Sequence, residues 1–157
     1  MAASTKYWDD LEIGDRFETM GRTVTETDLV NYLALSAEGG QLFSNADYAV
    51  EHGPFKKRIV PGLLTVTLAL GLHGLLGWSR DIQVIFRAVD QIRFIAPVGL
   101  NDTIYSTVEV VEKVLFRHGD RGIVALLHTV HDSTLRPYVE FTTRWQMPLR
   151  EPRRPES

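Results

Sequence analysis

Two residues between Ser36 and Leu63 have the types and settings for proton transfer and charge stabilisation. Glu38 is a carboxyl beside Gly39-Gly40, in the company of Ala37, Leu42 and Phe43. Apolar company desolvates a carboxyl and makes it hold its proton more tightly, which suits a general acid or base. Gly62 follows Pro61 at the start of an apolar run. A glycine N–H at a helix N-terminus is unencumbered and lies at the positive end of the helix dipole, where a developing oxyanion can be held. Just upstream, Lys56-Lys57-Arg58 offers positive charge to phosphates or to an acidic partner. Each feature also has a plain reading: a solvated loop acid, a turn glycine, a solvated basic turn.

Elements must position these groups. The stretch from Arg58 to Trp78 is the most apolar of the chain and carries almost no charge before Arg80. Pro61-Gly62 suits a loop entering a helix. The length admits a membrane span, but Thr65, Thr67, His73 and the interspersed glycines in mid-chain favour a buried helix. A helix apolar on all sides is covered on all sides, by a sheet, a long loop or a second subunit. Upstream, Arg16 to Val24 alternates loosely, as a first strand would. Thr25-Glu26-Thr27-Asp28 reads as a capping box opening a helix over Glu26–Ser36. Ala37 to Pro61 is a long connection with one helical turn over Asp47–His52, and connections of this length are usually functional. Downstream, four strands are predicted over Val84–Ile95, Thr103–Val114, Gly122–Val130 and Tyr138–Met147. Short turns between strands imply an antiparallel sheet. The class is α+β, with a sheet against one long central helix.

Bulk properties exclude several functions. The 157 residues suffice for one domain with a real core. A net charge of −3 gives no electrostatic case for nucleic acid. Cysteine is absent, which rules out disulfides, zinc–thiolate sites and a cysteine nucleophile. Met1–Trp8 has no apolar core of the signal-peptide kind, so a cytoplasmic location is expected. The charged, Pro-rich end from Arg150 to Ser157 is expected to be a disordered tail on a domain spanning 1–149.

Four blocks in register resemble the MaoC-like (R)-specific enoyl-CoA hydratase family. Leu11-Glu12-Ile13-Gly14-Asp15 looks like the family's entry motif, and Thr25-Glu26-Thr27-Asp28-Leu29 like its first helix start. The block from Asp47-Tyr48-Ala49 through Pro54-Phe55-Lys56-Lys57-Arg58-Ile59-Val60-Pro61-Gly62-Leu63-Leu64 resembles its central signature. Arg93-Phe94-Ile95-Ala96-Pro97-Val98 with Asn101-Asp102-Thr103-Ile104 resembles its strand-and-turn motif. The resemblance implies a single hotdog fold, a curled antiparallel sheet wrapped around a long central helix. It further implies an acyl thioester substrate, carried on coenzyme A or an acyl carrier protein, with no other cofactor and no metal.

In the family, an Asp and a His on the loop before the central helix hold a water, and a backbone N–H at the helix start polarises the thioester. Laid on the family pattern, Glu38 falls on the Asp, Gly40 on an Asn, Phe43 on the His and Asn45 on a later Asp. Phe43 cannot transfer protons. No other histidine is a convincing substitute. His52 is out of register, His73 lies on the central helix, His118 is in a turn, and His128 and His131 fall on opposite faces of one strand. The expected catalytic pair is therefore Glu38 as acid/base and Gly62 as oxyanion donor. Phe43, Asn45, Pro61, Leu63, Lys57 and Arg58 are expected to contact substrate. A homodimer is expected with sites at the subunit interface, no membrane contact and no nucleic acid. The altered loop also admits a catalytically retired subunit, alone or in a heteromer with an active hotdog chain, or a thioesterase.

Overall fold

Residues 5–152 are described by a computed structural model. The central helix, α4, runs from Gly62 to Gly74. Its 13 residues span about 20 Å, and among the described residues no helix is long and apolar enough to cross a membrane. Leu64, Val66, Leu68, Ala69 and Leu72 are buried, and so are the polar Thr65 and His73. Burial on this scale requires a curved partner rather than a flat one.

The sheet supplies it. Strands β1 (Arg16–Glu18), β2 (Arg22–Thr23), β3 (Ile85–Phe94), β4 (Thr103–Leu115), β5 (Arg121–His131) and β6 (Pro137–Pro148) are antiparallel, in the order β1-β4-β5-β6-β3, with β2 also on β4. Register shifts interrupt β3 after Phe86 and again after Asp90, and β4 after Val110. Such bulges bend a strand and raise its twist, so the sheet curls around α4. Arg144 of β6 spans the bend, donating to Asp90 of β3 and Glu112 of β4 at 2.8 Å each. The inward residues of β4 are Ile104, Ser106, Val108 and Val110, all buried, in the alternation expected from sequence. This is the hotdog arrangement, and the α+β assignment holds.

The expected strand over Arg16–Val24 is broken into β1 and β2. Gly21 lies against the Tyr105 ring, where an added Cβ would sit 2.6 Å from a ring carbon, and Thr19, whose N–H still donates to the Ser106 carbonyl at 3.0 Å, takes the Ser106 N–H on its hydroxyl rather than its carbonyl, at 2.9 Å. The capping box forms as read: Thr25 and Asp28 bond reciprocally at the start of α1 (Glu26–Ser36). Helix α1 ends on Ala37 in the left-handed region, φ 55°. Arg150, assigned to the tail by sequence, is tied down: its N–H donates to Asp9 at 2.9 Å and its guanidinium pairs with Asp10. The tail expectation from residue 153 onward lies outside the described residues.

One feature of the core is polar. His128 on β5 is fully buried, stacked on Phe141 at 4.6 Å, with Nε2 on the Thr143 hydroxyl at 2.9 Å. His73 lies 5.3 Å away, edge-on to Trp78 and Trp145. Burial depresses both imidazoles from 6.5, His73 to about 4 and His128 to about 3, the latter helped by its neighbour. Both are therefore neutral in the fold. The unfolded chain takes up protons at these residues below pH 6.5 and the folded chain does not, so stability is complete above pH 6.5 and is lost as pH falls towards 4. Each histidine contributes up to about 1.4 kcal/mol per pH unit in that window. Denaturant midpoints are expected to fall steadily from pH 6.5 to 5, with a shallower slope in His73→Phe. A flat wild-type profile over that range would contradict the neutral pair.

Candidate active site

The connection from Ala37 to Pro61 folds into two short helices, α2 (Gln41–Ser44) and α3 (Ala46–Glu51). Asn45 links them. Its Oδ1 accepts the Tyr48 N–H at 3.0 Å as the N-cap of α3, and its Nδ2 donates to Gln41. Arg58 fixes the loop from the other side. Its Nε donates to the Phe43 carbonyl at 2.8 Å, and its two terminal nitrogens pair with Glu26 of α1. The strand-like segment before α4 is pinned to the β3–β4 connection by Val60 N–H on the Val98 carbonyl at 2.9 Å and a bridge between Ile59 and Gly99.

These attachments enclose a cavity of about 320 Å³ at the N-terminal end of α4. Its walls are mostly apolar: Phe43, Phe55 and Ile59 from the loop, and Phe94, Pro97 and Val139 from the sheet side. Its polar contributors are Gly62, Thr65 and Tyr138. The Leu64 and Thr65 N–H groups return to the Pro61 carbonyl at 3.0 and 3.3 Å. The N–H groups of Gly62 and Leu63 precede the first intrahelical bond and have no acceptor within the helix. Gly62 is glycine for a steric reason as well, because an added Cβ would come within 2.4 Å of a Phe94 ring carbon. Burial, and then the nearby Asp102 carboxylate, hold the Tyr138 phenol above its usual range, so it is protonated.

The residues singled out in the sequence divide. Gly62 and Phe43 line the cavity, and Pro61 caps the helix that opens it. Glu38 does not line it. It is exposed, with Oε1 accepting the Gly40 N–H at 3.0 Å, so the desolvated setting expected for this carboxyl is not found within one chain. Leu63 is 53% exposed on the outer side of α4. Lys57 places its ammonium beside Gly99, away from the cavity walls. Arg58, expected at a phosphate, spends its donors on Phe43 and Glu26, and Asn45 spends its amide on capping. Sequence reading passed over Thr65, Phe94 and Tyr138. Thr65 had a signal, a polar residue one turn after Gly62 in an otherwise aliphatic run. Tyr138 had none, since its approach depends on the pairing of β6 with β3, where its carbonyl accepts the Ile95 N–H at 2.8 Å.

A curled sheet around a helix whose first turn opens into an apolar cavity defines a hotdog domain with a candidate ligand site at the helix start. Comparison with known proteins gives its family. The model described as "MaoC like domain" matches residues 10–131, and the chain belongs to that family. It is 34% identical over 100 residues to Protein MaoC of Klebsiella aerogenes, covering 63% of this chain and 29% of that protein. It is 28% identical over 104 residues to an (R)-specific enoyl-CoA hydratase of Rhodospirillum rubrum, covering 66% of this chain and 69% of the hydratase. The chain thus spans less than a third of the first relative. The solved structure of a monoamine oxidase regulatory protein from Archaeoglobus superposes with a TM-score of 0.84 at 27% identity, over 96% of this chain and all of that one.

The loop geometry makes a stability prediction. Arg58→Met frees the Phe43 carbonyl and the Glu26 carboxylate together, whereas Glu26→Gln weakens only an exposed pair. The first substitution is expected to cost about 1–2 kcal/mol and the second less than about 1. Chemical denaturation of the two variants and their double mutant checks this, and equal losses would mean the carbonyl contact contributes nothing.

Proposed function

We propose that this chain is an acyl-thioester hydratase/dehydratase of the MaoC-like class. The observation that carries the reading is Gly62, whose first-turn N–H has no acceptor within the helix, in the wall of a mostly apolar 320 Å³ cavity. A thioester oxygen at that N–H receives the negative charge that develops when water attacks the β-carbon of a 2-enoyl group, the largest electrostatic demand of the step. The water oxygen bonds to the β-carbon, its proton passes to a base, and a proton is delivered to the α-carbon; dehydration runs the same steps backwards. Glu38 is the proposed acid/base, cycling one proton between water and the α-carbon. Lys57 is the proposed contact for the phosphates of coenzyme A or the acidic surface of a carrier protein. The reading needs no cofactor beyond that thioester carrier.

Glu38 reaches a thioester in this reading through a homodimer, with Glu38 and Gly62 on opposite sides of an intersubunit cleft. Two surfaces support it. Among the described residues strand β3 pairs only with β6, which leaves its other edge free, and Ile85, Phe86, Ile92 and Phe94 along it are exposed. The outer flank of α4 presents Leu63, Thr67 and Gly71 at helical spacing without cover. An open edge beside uncovered apolar side chains invites pairing. A second reading, a retired subunit that binds acyl thioester or completes an active partner chain, is favoured by one observation: the side chain that lines the cavity at the family's histidine position is Phe43.

Purified protein with trans-2-enoyl-CoA of several chain lengths should remove the conjugated enoyl absorbance. Glu38→Gln should abolish turnover while leaving KM nearly unchanged, and Gly62→Ala should cut kcat by about 100-fold by displacing Phe94 and the thioester. Unchanged turnover in Glu38→Gln would remove that residue from the chemistry. Absence of turnover in the wild type together with acyl-CoA binding would favour the retired subunit. Light scattering should report twice the chain mass, and a monomer would refute the intersubunit cleft.

A further inference from the structure

A second cavity lies at the other end of α4. His73 is 11 positions after Gly62, about 16 Å along the helix. Leu70, Trp78, Leu126, Trp145 and Met147 form most of its walls, with the His73 imidazole and Ser79 as polar groups among them. It holds about 60 Å³, room for a few waters or one molecule of about two or three heavy atoms. His73 is 7% exposed, packed edge-on against both indoles, and its ring nitrogens make no hydrogen bond to any other described residue.

Buried polar atoms are nearly always partnered, and an imidazole left without a partner in an apolar wall is costly. An apolar cavity with one or two convergent polar groups is the usual make-up of a small-molecule site. The chemistry of the groups narrows the occupant. A neutral imidazole offers one donor and one acceptor, which a hydroxyl, itself both, can satisfy. A carboxylate or an ammonium would lose its hydration against indole, leucine and methionine with no countercharge, so ionic ligands are excluded. The rest of the wall selects hydrocarbon.

We propose that this cavity is a binding site for a small neutral aliphatic alcohol, seated with its hydroxyl on His73 and its hydrocarbon between Trp78 and Trp145. The site is separate from the thioester cavity, and the proposal stands whether or not the chain is a hydratase. It also gives the helix two ligand-bearing ends.

Ethanol and propane are suitable probes, nearly matched in shape and different in the hydroxyl. With the full chain at pH 7.5, ethanol should shift the His73 ring nitrogens in nitrogen–proton spectra and change tryptophan emission, both saturably and with one affinity. Propane should bind at least tenfold more weakly. His73→Phe should erase that preference, and Val84→Phe, which fills the cavity from its half-buried rim, should abolish both responses, circular dichroism verifying that each variant folds. No saturable shift at His73, or equal affinity for the two probes, would overturn the proposal and leave the cavity to water.

Discussion

The structure depends on one constraint: a helix that is apolar around its whole circumference has to be covered around its whole circumference. A flat sheet covers one side. The chain meets the demand with strands that bend at register shifts, so that residues from β4, β5 and β6 reach the flanks of α4 as well as its underside. Even so, one flank is left bare, along Leu63, Thr67 and Gly71. The functional surfaces follow from what the sheet cannot reach. One cavity opens where the helix starts and one lies under its end, both at the limits of the wrap.

The cavity at the helix start is built by attachment rather than by packing alone. Its loop wall is tied down by Arg58, which reaches from the base of α4 to the Phe43 carbonyl and to α1, alongside the Ile59 N–H on the Leu42 carbonyl. That explains why a basic residue so close to the expected phosphate is not available for one. The same economy applies to Asn45, whose amide is consumed in joining α2 to α3. The helix start proposed to hold the oxyanion is instead marked by what is missing, an acceptor within the first helical turn and a Cβ on Gly62, with the Phe94 ring beside the space that a side chain would have taken.

Most of the architecture could be read directly from residue order. Alternation in β4 and β6, the capping box of α1 and the apolar run of α4 are local patterns, and each produced the element expected of it. The interruption of the first strand at Gly21 could not be read, because it depends on Tyr105, far away in sequence. The site was legible only at its helix. Gly62 is recognisable from Pro61 and the run that follows. Glu38 was placed by register with a family pattern, and register fixes a position in the chain but not the direction of a side chain. Here Ala37 turns the chain through a left-handed conformation and leaves Glu38 facing solvent. Tyr138 and Phe94 reach the cavity through the pairing of β3 with β6, which no local pattern encodes.

That pairing has a consequence for the order in which the molecule can be made. Strands β4, β5 and β6 are joined by short turns, and such hairpins close at little entropic cost. Strand β3 meets β6 across about 45 to 60 positions of sequence, from Phe94 against Val139 to Ile85 against Gln146, and β1 meets β4 across more still, as in Arg16 against Glu109. The contacts that carry Phe94 to Gly62 therefore gather only after the hairpins have closed. Completion of the cavity waits on long-range pairing, so a chain with only its hairpins formed presents no helix-start cavity.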